Sequence, residues 1–438
     1  MNHNSVFGKR STHSVRHAGF GVLAAALAVT GITALAASGA ASAAGVSGGP
    51  PGPASRGQLV SATPLRTLPT AAAVRSELTG DGFDASAVRY GVRSFRLVYR
   101  TVDSRGRPTT ASGLMVLPAD GARQLSVVSV THGTETYRGD APSMDPTGFE
   151  PAPAYTFASA GFAVSDPDYL GLGTGPGLQP YLDLPSETTA ALDMLRAVRH
   201  YLVAHGVTAR RDVLATGFSQ GGPAALGLGR ALQDGADPWF RIGALAPISG
   251  PYDLTGAEVP AIADGELVRL NPDPQLGAKY SVLYAAFGLV GLNRVHHVYS
   301  SPAEVFKPPY AGTIETLLDG NHTSQQLIAG TPGQLTDLLT ARGWAMLRHP
   351  AGALLAALKA DSSACDWAPR VPVRLYLATA DEQVVNANTW HCQAAFAARG
   401  ARVAAVGLGT PDHAGSRHSG SNVAGTAQIV RWFAQLAS

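Results

Sequence analysis

The stretch Gly217-Phe218-Ser219-Gln220-Gly221-Gly222 follows an apolar run, Val213-Leu214-Ala215-Thr216, and precedes a helix-like segment from Pro223 to Leu232. A serine hydroxyl is a poor nucleophile. One that must attack is best presented on a tight strand-to-helix turn, where glycines two residues before and two after relieve backbone crowding. The pattern alone is a weak signal, because the chain carries 50 glycines in 438 residues and chance readily supplies G-x-S-x-G. Its weight depends on partner residues at other strand ends.

Working outward, strand-like and helix-like segments alternate along the chain. Arg93 to Arg100 and Thr109 to Leu117 read as a hairpin around the turn Asp103-Ser104-Arg105-Gly106. Next come a strand at Leu125 to Val130, a helix near Pro153 to Ala160, a strand at Phe162 to Ser165 and a long helix from Ser186 to Ala204. Strands at Asp212 to Thr216 and Ile242 to Ile248 flank the helix after Ser219. Such alternation predicts an α/β architecture: a mostly parallel sheet flanked by helices on both faces. Residues 251–369 read almost wholly helical and separate Ile248 from the next sheet-like run, Val371 to Ala378, so they are expected to form an inserted helical cap. The core is then 76–250 and 370–438, closing with Val403 to Val406 and an amphipathic helix from about Val423 to Leu436.

Acyl transfer by serine needs a base, an acid to orient that base, and donors for the developing oxyanion. In a parallel sheet these groups should lie just beyond the carboxyl ends of the strands. Asp381 follows the strand Val371 to Ala378 by three residues and is the expected acid, with the adjacent Glu382 and the more distant Asp253 as competitors. The base is expected to be His413, on the loop after Val403 to Val406, because it stands closest to the strand end; His418, five residues further on, is the alternative base. The oxyanion hole is expected from the backbone N–H of Gln220 together with one from the Gly133-Thr134 pair, in Thr131-His132-Gly133-Thr134-Glu135-Thr136. His132 reads as structural. Gly171-Leu172-Gly173-Thr174-Gly175-Pro176-Gly177 is glycine-rich enough to suggest phosphate binding, but no helix begins there, so it reads as a loop.

Composition and the chain's start narrow the class. Lys9, Arg10 and Arg16 precede an uncharged Ala-rich run from Ala18 to Ala37, and Ala41-Ser42-Ala43 offers a small-residue cleavage site, so 1–43 reads as a signal peptide and the protein as secreted. Residues 44–75, rich in Gly, Pro, Ser and Ala, are expected to be a flexible leader. With charged residues at 15% and a net charge of +2, nothing suggests nucleic acid as a partner. The two cysteines, Cys365 and Cys392, fit one disulfide in an exported protein, and no clustered Cys or His pattern suggests a metal.

His132-Gly133-Thr134, Pro167-Asp168-Tyr169-Leu170-Gly171-Leu172-Gly173, Gly217 to Gly222, Trp367-Ala368-Pro369, Asp381-Glu382-Gln383-Val384-Val385 and Asp412-His413 together resemble the α/β-hydrolase superfamily, in particular its secreted lipase and esterase branch, similar to the fungal secretory lipases. The chain order Ser219, Asp381, His413 is that of this superfamily and not that of the chymotrypsin or subtilisin arrangements. The resemblance implies an α/β-hydrolase fold and a cofactor-free carboxylic ester hydrolase acting through a Ser-Asp-His triad and an acyl-enzyme, with Gln220 and Gly133 or Thr134 at the oxyanion. A serine peptidase or acyltransferase of the same fold is the alternative. The substrate is expected to be a small-molecule or lipid ester, met by a monomer in transient contact with a lipid interface. The apolar runs Tyr280 to Leu292 and Ala351 to Leu358 can serve either as an acyl-chain tunnel or as packing within the cap.

Overall fold

The computed structural model of the chain describes residues 56–437. The signal-peptide expectation for 1–43 lies outside them. Among the described residues, nine strands form one sheet in the order β1-β2-β3-β5-β4-β6-β7-β8-β9. β1 (Leu59–Leu68), β2 (Val92–Val102) and β3 (Pro108–Pro118) make an antiparallel meander, and β3 pairs antiparallel with β5 (Ala163–Pro167). From β5 onward the ladder is parallel, through β4 (Gln124–Thr131), β6 (Thr208–Phe218), β7 (Arg241–Ile248), β8 (Arg374–Leu377) and β9 (Ala404–Gly407). Five consecutive parallel strands, β4 to β9 in sheet order, therefore deliver their carboxyl ends to one edge.

Residues 59–75 depart from the flexible leader expected there: β1 pairs along β2 from Leu59 to Leu68, and α1 (Ala71–Gly80) begins at the cap Thr70, whose hydroxyl accepts from the Ala73 N–H at 3.1 Å. Pro64 obscured the strand, yet it is tolerated because an edge strand needs ladder bonds on one side only.

The interior lines of the sheet read as nearly continuous apolar runs because both faces are covered. On one face α3 (Leu184–Ala204) and α4 (Gly221–Gln233) bury Leu195, Val198, Leu226 and Leu228 against Leu97, Val127, Val213 and Leu245. On the other, α2 (Ala152–Ser159) and the C-terminal helix Arg417–Ala437 bury Phe157, Ile429 and Phe433 against Val116, Val128 and Ala246. Between β7 and β8 the chain leaves the sheet and builds a cap of helical segments around the long helix Pro274–His296, with its own apolar core including Val282, Phe287, Val290, Phe306 and Leu338. Cys365, at the end of this cap, is disulfide-bonded to Cys392 in the helix Ala387–Ala398, with Cα atoms 5.2 Å apart. The bridge closes the segment that carries β8 and the loop after it, which in chain-entropy terms stabilises by roughly 3.5 kcal/mol.

Candidate active site

Ser219 leaves β6 with φ 54°, in the left-handed region, while the next residue, Gln220, is already helical at the start of α4. The strain is held from both sides: Ser219 N–H donates to the Ile248 carbonyl at 3.0 Å and Gly222 N–H donates to the Ser219 carbonyl at 2.8 Å. The two glycines of the motif are needed because the turn is pressed against the end of β4. A Cβ at Gly221 would collide with the Thr131 carbonyl, and one at Gly217 with the Thr131 hydroxyl and the Gly221 carbonyl. That hydroxyl itself ties the turn down, donating to the Gly221 carbonyl at 2.7 Å.

The residue that reaches Ser219 is His418. Its Nε2 lies 2.9 Å from Ser219 Oγ, and its Nδ1 lies 2.9 Å from Asp381 Oδ2. With Nδ1 donating to the carboxylate, Nε2 carries the lone pair that accepts the serine hydroxyl. Asp381 is wholly buried, and its Oδ1 accepts the N–H groups of Gln383 and Val384, both at 3.0 Å, which fixes the carboxylate's plane. Asp381 thus stands just beyond β8, against the histidine.

The expectation that His413 meets Ser219 is corrected. His413 and Ser416 exchange backbone hydrogen bonds, each 3.0 Å, across Ala414 and Gly415, whose φ values of 52° and 86° make a tight reversal. The reversal sends the His413 ring outward against Phe149, with centroids 4.9 Å apart, and starts the last helix at Arg417, several residues before the apolar period begins at Val423. His418 therefore sits in a helical first turn and not on a loop. Its ring packs against Phe218, with centroids 4.6 Å apart.

Glu382, a competitor for the acid in the sequence, holds the start of that helix. Its Oε1 accepts from Ser416 Oγ at 2.6 Å and from the His418 N–H at 3.3 Å, while its Oε2 accepts from the Arg417 N–H at 3.2 Å. Ser416 completes the cap by accepting from the Ser419 N–H at 3.1 Å. A carboxylate at a helix N-terminus also meets the positive end of the helix dipole. In the sequence Glu382 stands only as a rival acid, and Ser416 carries no signal of this role. The partner signal spans 34 positions of sequence, so no local pattern reveals it.

Asp253 is turned to other work: it caps the first turn of the cap, accepting from the Gly256 N–H at 2.7 Å, and pairs with His391 at 3.1 Å. His132 is buried, its Nδ1 2.8 Å from the Gly133 carbonyl, and burial depresses its pKa to about 4. Gln220 is buried with its amide nitrogen donating to Glu187 at 2.7 Å. Thr134, Ser219 and Gln220 stand together at one end of a cavity of about 770 Å³, counting its open mouth. Gly133 lies behind them, in contact range of Phe218 and Ser219, and its N–H faces the buried Glu150 carboxyl. From Ser219 the cavity runs into the cap between Leu254, Ile262, Leu289, Leu292, Leu347 and Leu358.

No family model matches the chain, and no curated protein does. Solved structures do. The rice cell wall degrading esterase LipA from Xanthomonas oryzae is similar at 26% identity and TM-score 0.72, over 87% of this chain and 98% of that one. Lipase A from Candida antarctica in its closed state shares the fold at 19% identity and TM-score 0.58, over 80% of this chain and 76% of that one. The protein has an α/β-hydrolase fold of the lipase and esterase branch. By class the hydrolase is a carboxylic ester hydrolase, and the serine turn, the carboxylate after β8 and the histidine at the last helix are its convergent polar groups.

Burial by itself would lower the pKa of His418. The Asp381 carboxylate, by charge and hydrogen bond, with Glu382 behind it, outweighs that and holds the imidazole above its ordinary 6.5. Since a base must be neutral to accept a proton, the acidic limb of the hydrolase's kcat/KM profile is expected above pH ~6.5. His418→Ala should lower kcat at least about 10³-fold, whereas His413→Ala should stay within about threefold of the parent. Steady-state hydrolysis of nitrophenyl esters across pH checks both, and a large loss in His413→Ala alone would reverse the assignment.

Proposed function

We propose that the hydrolase is a secreted serine esterase or lipase whose triad is Ser219, His418 and Asp381. His418 takes the Ser219 proton as Oγ attacks the ester carbonyl, and Asp381 steadies the imidazolium that forms. The tetrahedral oxyanion is met by the N–H of Gln220 and that of Thr134. Thr134 is preferred over Gly133 because it lines the cavity beside Ser219, whereas the Gly133 N–H is directed at Glu150. His418 then gives its proton to the departing alkoxide, leaving an acyl-Ser219, and later activates a water that releases the acid and restores the serine. The single observation that carries this reading is the unbroken line Asp381 Oδ2, His418 Nδ1, His418 Nε2, Ser219 Oγ, at 2.9 Å on each side of the imidazole.

The acyl part of the substrate is mainly hydrocarbon. Beyond Ser219 the cavity wall is almost wholly hydrocarbon, and one face of the helix Pro274–His296 supplies Ala285, Gly288, Leu289 and Leu292 to it. Burial of a methylene there is worth about 0.8 kcal/mol, so each added carbon that fits should tighten binding. Export is supported by the basic and apolar pattern of residues 1–43 and by the Cys365–Cys392 disulfide, a bond kept in oxidising compartments.

A fluorophosphonate probe followed by peptide mapping should modify Ser219 and no other serine, and labelling should vanish in Ser219→Ala. The cavity assignment has its own check. A Cβ at Gly288 meets nothing within 4 Å, so Gly288→Phe can fold but should fill the cavity. Hydrolysis of hexadecanoyl esters is then expected to fall about tenfold or more relative to butanoyl esters. An unchanged chain-length profile would place the acyl chain elsewhere.

A further inference from the structure

Glu258 introduces a carboxyl into the wall of an otherwise apolar cavity. It ends the first, wide turn of the cap, Leu254–Glu258, and is 6% exposed. Its Oε2 is fully used: it accepts from Asn388 Nδ2 at 2.7 Å and from the Val385 N–H at 3.3 Å, both on the segment after Asp381. Among the described residues no protein group bonds its Oε1, and Glu258 lines the same cavity as Ser219. The cavity's other polar side chains are mostly committed. Tyr284 donates its hydroxyl to Gln383 Oε1 at 2.6 Å, and Gln220 donates to Glu187. The Thr134 and Tyr181 hydroxyls share one bond at 2.9 Å and keep one hydrogen, but they stand at the oxyanion end.

Resting on the esterase reading above, we propose that Glu258 is a specificity-determining residue that donates a hydrogen bond from Oε1 to an oxygen carried by the acyl chain, so that the preferred substrates are esters of oxygenated, not plain, alkanoic acids: hydroxy-, oxo- or ether-substituted chains. The proton needed for that donation is present at neutral pH. Burial raises the Glu258 pKa to about 8, and the neighbouring Asp381 carboxylate adds to the rise, against the opposing bond from Asn388. Since Asn388 and Val385 both bring N–H groups to Oε2, the proton is left to Oε1. A donor facing hydrocarbon without a partner is costly, and a chain that brings an acceptor to it recovers that cost, whereas a plain alkyl chain does not.

The test is an ether scan. Nitrophenyl octanoate is compared with esters of the same length in which one methylene after another is replaced by oxygen, in the parent and in Glu258→Gln and Glu258→Leu. Each ester's kcat/KM is divided by its rate of hydroxide-catalysed hydrolysis, which removes inductive effects, and compared with that of octanoate within the same variant, which removes any general loss from disturbing the Asp381 segment. The parent should favour one position of the oxygen by about tenfold. Glu258→Gln, which keeps an N–H donor facing the cavity while its carbonyl serves Asn388 and Val385, should retain most of that preference, and Glu258→Leu should abolish it. A flat profile in the parent, or a preference that survives in Glu258→Leu, overturns the proposal while leaving the esterase reading intact. Absence of hydrolysis of every ester in the parent would instead remove the esterase reading and this inference with it.

Discussion

Two adjacent carboxylates, Asp381 and Glu382, hold the site together by gripping His418 from two directions. Asp381 bonds the imidazole, and Glu382 bonds the backbone that carries it, through Ser416, Arg417 and the His418 N–H itself. Both are buried, and an unmatched buried charge would cost far more than any single bond returns. The match comes from the amides of Gln383 and Val384 on Asp381, and on Glu382 from the helix N-terminus and the Arg417 guanidinium at 3.4 Å. Arg417 is in turn fixed to the cap by donating to the Leu270 carbonyl. The histidine's orientation is therefore set by charge compensation across 34 to 37 positions of sequence and not by the loop on which it first seems to sit.

That explains what the sequence could and could not disclose. The alternation of strands and helices, the parallel sheet, the cap between 251 and 369 and the serine turn were legible because each rests on local pattern: period, turn chemistry and glycine spacing. Asp381 was legible for the same reason, being tied to the end of β8. His418 was not preferred, because Arg417-His418-Ser419-Gly420-Ser421-Asn422 has no apolar period. Its helical form depends on the Glu382 cap and on close packing of small residues; Gly420, for instance, lies against the Pro411 carbonyl. The edge strand β1 was hidden for a related reason. A strand with one partner and no fully buried side chain lacks the apolar run by which the inner strands announce themselves.

The residues of the apolar cap runs divide between packing within the cap and lining the cavity. Along the helix Pro274–His296, Val282, Ala286, Phe287 and Val290 pack into the cap, while Ala285, Gly288 and Leu292 face the cavity. Period alone cannot separate the two, since an apolar face reads alike whether it meets side chains or empty space. Gly288 is the informative position: a glycine within a helix costs about 1 kcal/mol against alanine, and there the missing side chain leaves room beside the cavity.

The cap is also bonded to the segment after β8, so the shape of the cavity and the geometry of Asp381, His418 and Ser219 are not independent. Asn388 joins them. Its Oδ1 accepts from the Asp253 N–H at 2.9 Å, and its Nδ2 donates to Glu258, so both ends of the cap's first turn rest on the segment that follows Asp381. Asn388 is wholly buried, and its Nδ2 also donates to the Val385 carbonyl at 3.0 Å, closing the loop on itself. A chain that wedges the first turn of the cap aside must therefore strain the segment whose amides hold Asp381, and with it His418. Packed interfaces shift between discrete arrangements more readily than they deform continuously. Under the proposed esterase reading, discrimination by this cavity is expected in the chemical step as well as in binding, because the cavity wall is bonded to the segment that carries Asp381.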